Sequence, residues 1–157
     1  MEKHPLLLKA RDIEQMAGQH KVHFLNSNAV RLNKSLGDAV GLTEIGVHLI
    51  YVEPNRKSTE YHKHYYEEEC IYVLSGQGSL IIEDKSYPFA EGDFVGFPTN
   101  TAAQSILNDS DERLVCLVMG QRLPQDVSDY PHQEKRLYRN SGEWNLVDFQ
   151  DIHHPGE

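Results

Sequence analysis

Between residues 43 and 119 the chain is a succession of short strand-like segments separated by turn residues, and this pattern narrows its folds more than any other feature. Residues 43–52 form a long strand candidate, with Ile45, Val47, Leu49 and Tyr51 on one face and His48 on the other. Glu53-Pro54-Asn55-Arg56 breaks it. Further strand candidates follow at 61–65, 69–74, 79–83, 86–89, 94–97, 103–107 and 113–119, punctuated by Glu83-Asp84-Lys85, Gly92-Asp93 and Pro98. Short strands with turn signals roughly every eight to twelve residues are the text of a sandwich or barrel. The expected class is an antiparallel all-β domain. At 157 residues the chain is one domain with a single core.

One stretch in this run carries chemistry. Tyr61-His62-Lys63-His64 places two histidines two apart on an extended segment, so both imidazoles point to one face. Glu69 then opens a run of strand formers, Ile71, Tyr72, Val73 and Leu74. A short turn between the two strands would bring His62, His64 and Glu69 together, and two imidazoles with a carboxylate suit a divalent transition metal. Gly76 sits where a tight turn into the strand at 79–83 needs it.

The spacing His62-x-His64, four residues, Glu69, six residues, Gly76 resembles the first motif of the cupin superfamily. That family's second motif runs Gly, five residues, Pro-x-Gly, then His, three residues, Asn. Here Gly92, Pro98 and Asn108 fall in place, Asn100 stands where the second Gly belongs, and Gln104 stands where the fourth metal-ligand His belongs. The resemblance spans residues 42–120 and implies a double-stranded β-helix, the cupin or jelly-roll barrel. Residues 1–41 would then be an N-terminal extension and 121–157 a C-terminal extension packed on the barrel.

The resemblance further implies that His62, His64, Glu69 and Gln104 gather inside the barrel around one divalent metal (Zn, Fe, Mn or Ni) beside a small organic ligand. An amide oxygen is a weaker donor than imidazole, so such a site holds its metal less tightly than a three-His site. Alternatively, Gln104 hydrogen-bonds substrate beside a three-ligand metal. A shifted register puts Ala103 at the ligand position, but Ala offers no donor, whereas Gln104 keeps the spacing to Asn108. Tyr61, Tyr72, His48 and Arg56 are candidates to line the ligand space. Their plainer readings are half-buried strand aromatics, a surface strand residue and a loop charge. Glu67 and Glu68 are expected to flank the site electrostatically without binding the metal.

The rest of the chain bounds partners and setting. A formal net charge of −9 argues against nucleic acid and anionic membranes. No apolar run approaches a membrane span, and Leu6-Leu7-Leu8 is too short for a signal-peptide core. Cys70 and Cys116 form no CxxC pair and read as buried free thiols of a reducing compartment, hence a cytoplasmic protein. Towards the N-terminus a helix is expected over 10–19, ended by Gly18, then a strand at 21–25. Residues 29–36 carry a weaker alternation, and Gly37-Asp38 and Gly41 read as turns. This segment is expected to add an edge strand to its own barrel or to a partner's, and by family analogy the protein is a homodimer. After Gly120 the segments 123–126 and 129–131 read as irregular and 135–139 as basic and extended. Leu137, Tyr138, Trp144, Leu146, Val147 and Phe149 give that tail apolar area to pack on the barrel, with order to about residue 150 and a loose His153-His154 end.

These readings describe a small cytoplasmic cupin that binds a metal and a small ligand. As an enzyme it would be a metal-dependent oxygenase, isomerase or lyase. The rival readings are a non-catalytic binding or sensing module, with structural metal or none, and a barrel retained for partner binding.

Overall fold

The computed structural model describes residues 3–157. Two short helices, α1 (Ala10–Gln15) and α2 (Leu36–Ala39), accompany thirteen strands among the described residues. The strands are β1 (Gln19–His23), β2 (Asn26–Ser35), β3 (Ile45–Val52), β4 (Lys63–His64), β5 (Glu69–Ser75), β6 (Gln77–Ile82) and β7 (Lys85–Ala90). They continue with β8 (Phe94–Phe97), β9 (Gln104–Leu107), β10 (Leu114–Gln121), β11 (Gln125–Tyr130), β12 (Lys135–Asn140) and β13 (Glu143–Asp148).

All the ladders are antiparallel. One sheet of six strands runs β1-β2-β3-β10-β5-β8; a second runs β13-β12-β11-β4 and a third β7-β6-β9. A bridge between His62 and Gln104 joins the second and third sheets into one opposing layer. Ile50, Val52, Ile71, Val73, Leu114 and Cys116 of the six-stranded sheet meet Leu80, Phe89 and Ile106 of the three-stranded sheet in the core. This is a jelly-roll sandwich of the cupin type, as expected. No described helix is long and apolar enough to cross a membrane.

Two turn positions explain residues of the sequence pattern. Gly76 links β5 to β6 at φ +83, and a Cβ there would lie 2.5 Å from the Arg113 carbonyl oxygen, so neither conformation nor space admits a side chain. Asn100 occupies the left-handed region at φ 54, which Asn tolerates better than most residues, so the turn after Pro98 forms without glycine. Asn108 is fully buried and its amide donates to the carbonyls of Val52 and Glu112, both at 2.8 Å, tying β9 to β3 and β10.

Several expectations are corrected. The helix over 10–19 stops at Gln15, because Met16 is already extended and Gly18, at φ +69, turns the chain into β1. Gly37-Asp38 belongs to a short helix capped by the Ser35 hydroxyl, which accepts from the Asp38 N–H. On β3 the face toward the core is His48, Ile50 and Val52; Ile45, on the other face, is half exposed. The segments read as irregular instead contribute β11, docked on β4, while the extended reading of 135–139 holds as β12, and β11–β13 form a three-stranded meander. In that meander Leu137 is buried, while Trp144 and Leu146 are exposed. Both cysteines are free; Cys116 is buried, which pushes its thiol up to about 12, and Cys70 is half-buried.

Candidate metal centre

His62 and Gln104 face each other across a two-bond backbone bridge: the His62 N–H donates to the Gln104 carbonyl at 3.1 Å, and the Gln104 N–H returns to the His62 carbonyl at 2.8 Å. Strand alternation then places His64 on the same side as His62, with ring centroids 4.9 Å apart and planes nearly perpendicular. Glu69 heads β5 between Phe97 of β8 and Gly120 of β10. One donor atom from each of His62, His64 and Glu69 lies within 4.8 Å of the others. The Gln104 amide closes the group, its Nε2 3.4 Å from Glu69 Oε1. Turning that amide about its last torsion presents Oε1 to the same point.

The groups behind the ligands select the tautomers a metal requires. His62 Nδ1 lies 2.8 Å from the Glu60 carbonyl oxygen, to which only a protonated nitrogen can donate. His64 Nδ1 lies 2.6 Å from Asp126 Oδ2, with the Ser128 hydroxyl at 3.2 Å. Both rings therefore keep Nε2 as a lone-pair donor, and His64 sits in a carboxylate–histidine pair of the kind that backs metal ligands. Asp126 is fixed in turn by the backbone N–H groups of Tyr66 and Glu67. The residues present fit a divalent metal bound by two imidazoles, a carboxylate and an amide.

The electrostatics differ among the ligands: His62 is held neutral, whereas His64 and Glu69 are shifted toward their protonated forms and would shed a proton on binding a metal. Burial, reinforced by nearby His64, pushes His62 down to about 3, so it is a neutral imidazole at physiological pH. Burial also opposes charge on His64, but the hydrogen bond to Asp126 and the charges of Glu69, Asp126 and Glu67 outweigh it and raise its pKa. Burial raises Glu69, partly offset by His64 and Arg31. Asp126 is desolvated as well, yet His64 and its N–H donors hold it at about 2.

His62, Glu69 and Gln104 open onto a cavity of about 200 Å³. Its remaining wall is Arg31, Asn33, His48, Ile50, Ser58, Thr59, Ile71 and Val118. Of the four candidate lining residues, His48 is there, its Nδ1 3.1 Å from the Asn33 amide. Tyr61 points elsewhere, stacked on His132 with its hydroxyl oxygen accepting from the Asp84 N–H at 3.1 Å. Tyr72 pairs with Phe94 and Leu117 and is partly exposed, and Arg56 holds Asn28 on an exposed loop. Glu67 is buried rather than solvated: it is ion-paired with Arg139, accepts the Leu123 N–H and groups with His64 and Asp126. Arg31, Asn33 and Asp126 were missed by sequence reasoning. The first two sit on a strand of weak alternation and the third in a segment that reads as irregular.

Comparison with known proteins bears on this geometry. The family model for the Cupin domain matches residues 48–120. A crystal structure from Acidithiobacillus ferrooxidans ATCC 23270, of a protein provisionally named a sugar phosphate isomerase, is 65% identical with a TM-score of 0.95, covering 98% of each chain. A cupin-superfamily sugar phosphate isomerase from Silicibacter pomeroyi DSS-3 is 23% identical with a TM-score of 0.77, over 89% of this chain and 94% of that one. A predicted oxalate decarboxylase of Thermotoga maritima shares the fold at 19% identity and a TM-score of 0.57, over 71% of this chain and 96% of that one. No curated protein sequence matches the chain.

Proposed function

The chain belongs to the cupin superfamily, and on that premise we propose that it is a metal-dependent isomerase of a small sugar phosphate. The observation that carries this reading is the donor set of His62, His64, Glu69 and Gln104, of which His62, Glu69 and Gln104 open onto a cavity of mixed polar and apolar lining. It is supported by the 65% identity to a protein provisionally named for that activity. Interconverting an aldose and a ketose moves a proton between adjacent carbons while the carbonyl is polarised. A bound divalent metal supplies that polarisation as a Lewis acid.

The chain's own residues supply the rest. His62, His64, Glu69 and Gln104 hold the metal, and Asp126 keeps His64 in register. His48, in the same cavity and driven toward its neutral form by burial, is the group suited to carry the proton. The Ile50, Ile71 and Val118 side of the cavity limits water around the reacting carbons. A cytoplasmic setting agrees with two free thiols. Homodimerisation agrees with β1, an edge strand that exposes Val22.

The test is an aldose–ketose interconversion assay on a panel of three- to six-carbon sugar phosphates with metal-loaded protein. Turnover that disappears in His62→Ala and drops in His48→Gln, with metal retained in the latter, is the expected result. Stoichiometric metal with no turnover on any member would reject the isomerase and leave a non-catalytic binding module.

A further inference from the structure

The wall of the cavity that His62, Glu69 and Gln104 open onto carries a positive charge that enters no ion pair among the described residues. Arg31, on β2, lines the cavity and spends one guanidinium N–H on the Ser58 carbonyl oxygen at 2.8 Å. That is its single side-chain hydrogen bond among the described residues, and it enters no ion pair there. An arginine offers five N–H donors in a planar fork that matches a carboxylate or phosphate, so most of its capacity is unspent. Burial works against its charge, and the charge of Glu69, on the same cavity wall, favours it.

The charge balance of the cavity points the same way. Glu69 is the single acidic residue on the wall. With a dication at the ligands and Arg31 on the wall, against Glu69 and the Asp126 carboxylate behind His64, the loaded site is positive by about one charge, a costly state unless an anion enters. The polar groups beside Arg31, the Asn33 amide and the Thr59 hydroxyl, are neutral hydrogen-bonders suited to an oxyanion. A space of about 200 Å³ holds a compact guest, since liquid water takes roughly 30 Å³ per molecule.

We infer that Arg31 is the anion-binding residue of this cavity, gripping the phosphate or carboxylate of an oxygen-rich compound whose other end reaches the metal. The inference rests on the metal site proposed above and deepens it: the N-terminal strand β2, outside the family motif, sets the substrate class. Arg31 positions the guest so that its oxygen donors, and not its anionic group, meet the metal.

The test is calorimetric titration of the metal-loaded protein with inorganic phosphate, glycolate and neutral ethylene glycol, on the natural chain, Arg31→Gln and Arg31→Lys. At least one anion binds the natural chain and ethylene glycol does not. Arg31→Gln weakens that anion roughly ten- to hundredfold, the loss expected for charge-assisted hydrogen bonds. Metal content stays equal, and Arg31→Lys recovers part of the affinity because it restores the charge without the fork. Preference for phosphate over glycolate identifies the guest as a phosphorylated compound, and the reverse identifies an acid; either supports the inference. Unchanged anion affinity in Arg31→Gln at equal metal content overturns it, as does failure of both anions to bind the natural chain. Should Arg31→Gln not fold, Arg31→Lys binding the anion as tightly as the natural chain through a compact charge would overturn the fork geometry. Arg31-dependent anion binding without sugar phosphate turnover rejects the isomerase reading alone.

Discussion

Asp126 reaches the candidate metal centre from β11, far from the candidate ligand motif, and its replacement tests whether the tail completes the site. Its carboxylate accepts from His64 Nδ1 at 2.6 Å and from the Tyr66 N–H at 3.2 Å. Asp126→Asn keeps an oxygen for His64 but removes the charge, and a neutral hydrogen bond is roughly half as strong as a charge-assisted one. Losing the partner of a metal-bound histidine typically weakens the metal by about 10- to 100-fold, or about 1.4–2.7 kcal/mol. Asp126→Asn therefore belongs near the tenfold end, and Asp126→Ala, which also strands two backbone donors, near the hundredfold end. Asp129→Asn is the control. It sits on the same strand, with Tyr65 and Arg136 as partners, and touches no ligand. Competition for zinc against a chromogenic chelator at neutral pH reads all three. Asp126→Ala binding zinc within about twofold of the natural chain, or Asp129→Asn losing as much as Asp126→Asn, would refute the reasoning.

Gln104→His should tighten zinc in the same competition by about tenfold, since imidazole is the better donor at the fourth position; unchanged or weaker binding would place Gln104 outside the ligand set. Gly76→Ala should unfold at markedly lower denaturant than Gly92→Ala. Both glycines hold positive φ, which costs a side chain about 1–2 kcal/mol, but only Gly76 also meets backbone, at 2.5 Å, while nothing lies within 4 Å at Gly92. Acid should destabilise the metal-free protein partly through His62. Its folded pKa is depressed from 6.5 to about 3, so across that window the unfolded state takes up a proton that the folded state refuses. His64, raised by Asp126, works in the opposite direction, its contribution being present below 6.5 and lost as pH rises through the folded value. His62→Asn should flatten the acid limb of stability against pH by up to about 1.4 kcal/mol per pH unit, and an identical limb in urea titrations would contradict the assignment.

The candidate ligands His62, His64 and Glu69 were legible because their spacing is local, one turn joining β4 to β5, and Gln104, several strands later, was legible through its motif spacing to Asn108. Asn108 was legible as a motif position, and its buried ties to Val52 and Glu112 explain why that position suits an amide. The second half of the site was hidden for a physical reason. On β11 the buried residues include Asp126, Ser128 and Asp129, so this strand turns polar groups inward and lacks the apolar alternation by which a strand is read. On β2 Arg31 is an inward charge whose proposed role depends on a cavity built by distant strands. On β3 the apolar set Ile45, Val47, Leu49 and Tyr51 alternates as expected, but the core lies on the His48, Ile50 and Val52 side. A sheet apolar on both faces gives the period without the direction.

The most direct measurement is elemental analysis of untagged protein prepared without chelator, beside a His62→Ala/His64→Ala double variant. The account predicts close to one divalent transition metal per chain in the natural protein and its loss from the double variant. A natural protein that carries no metal even after reconstitution, or a double variant that keeps its metal, would contradict it.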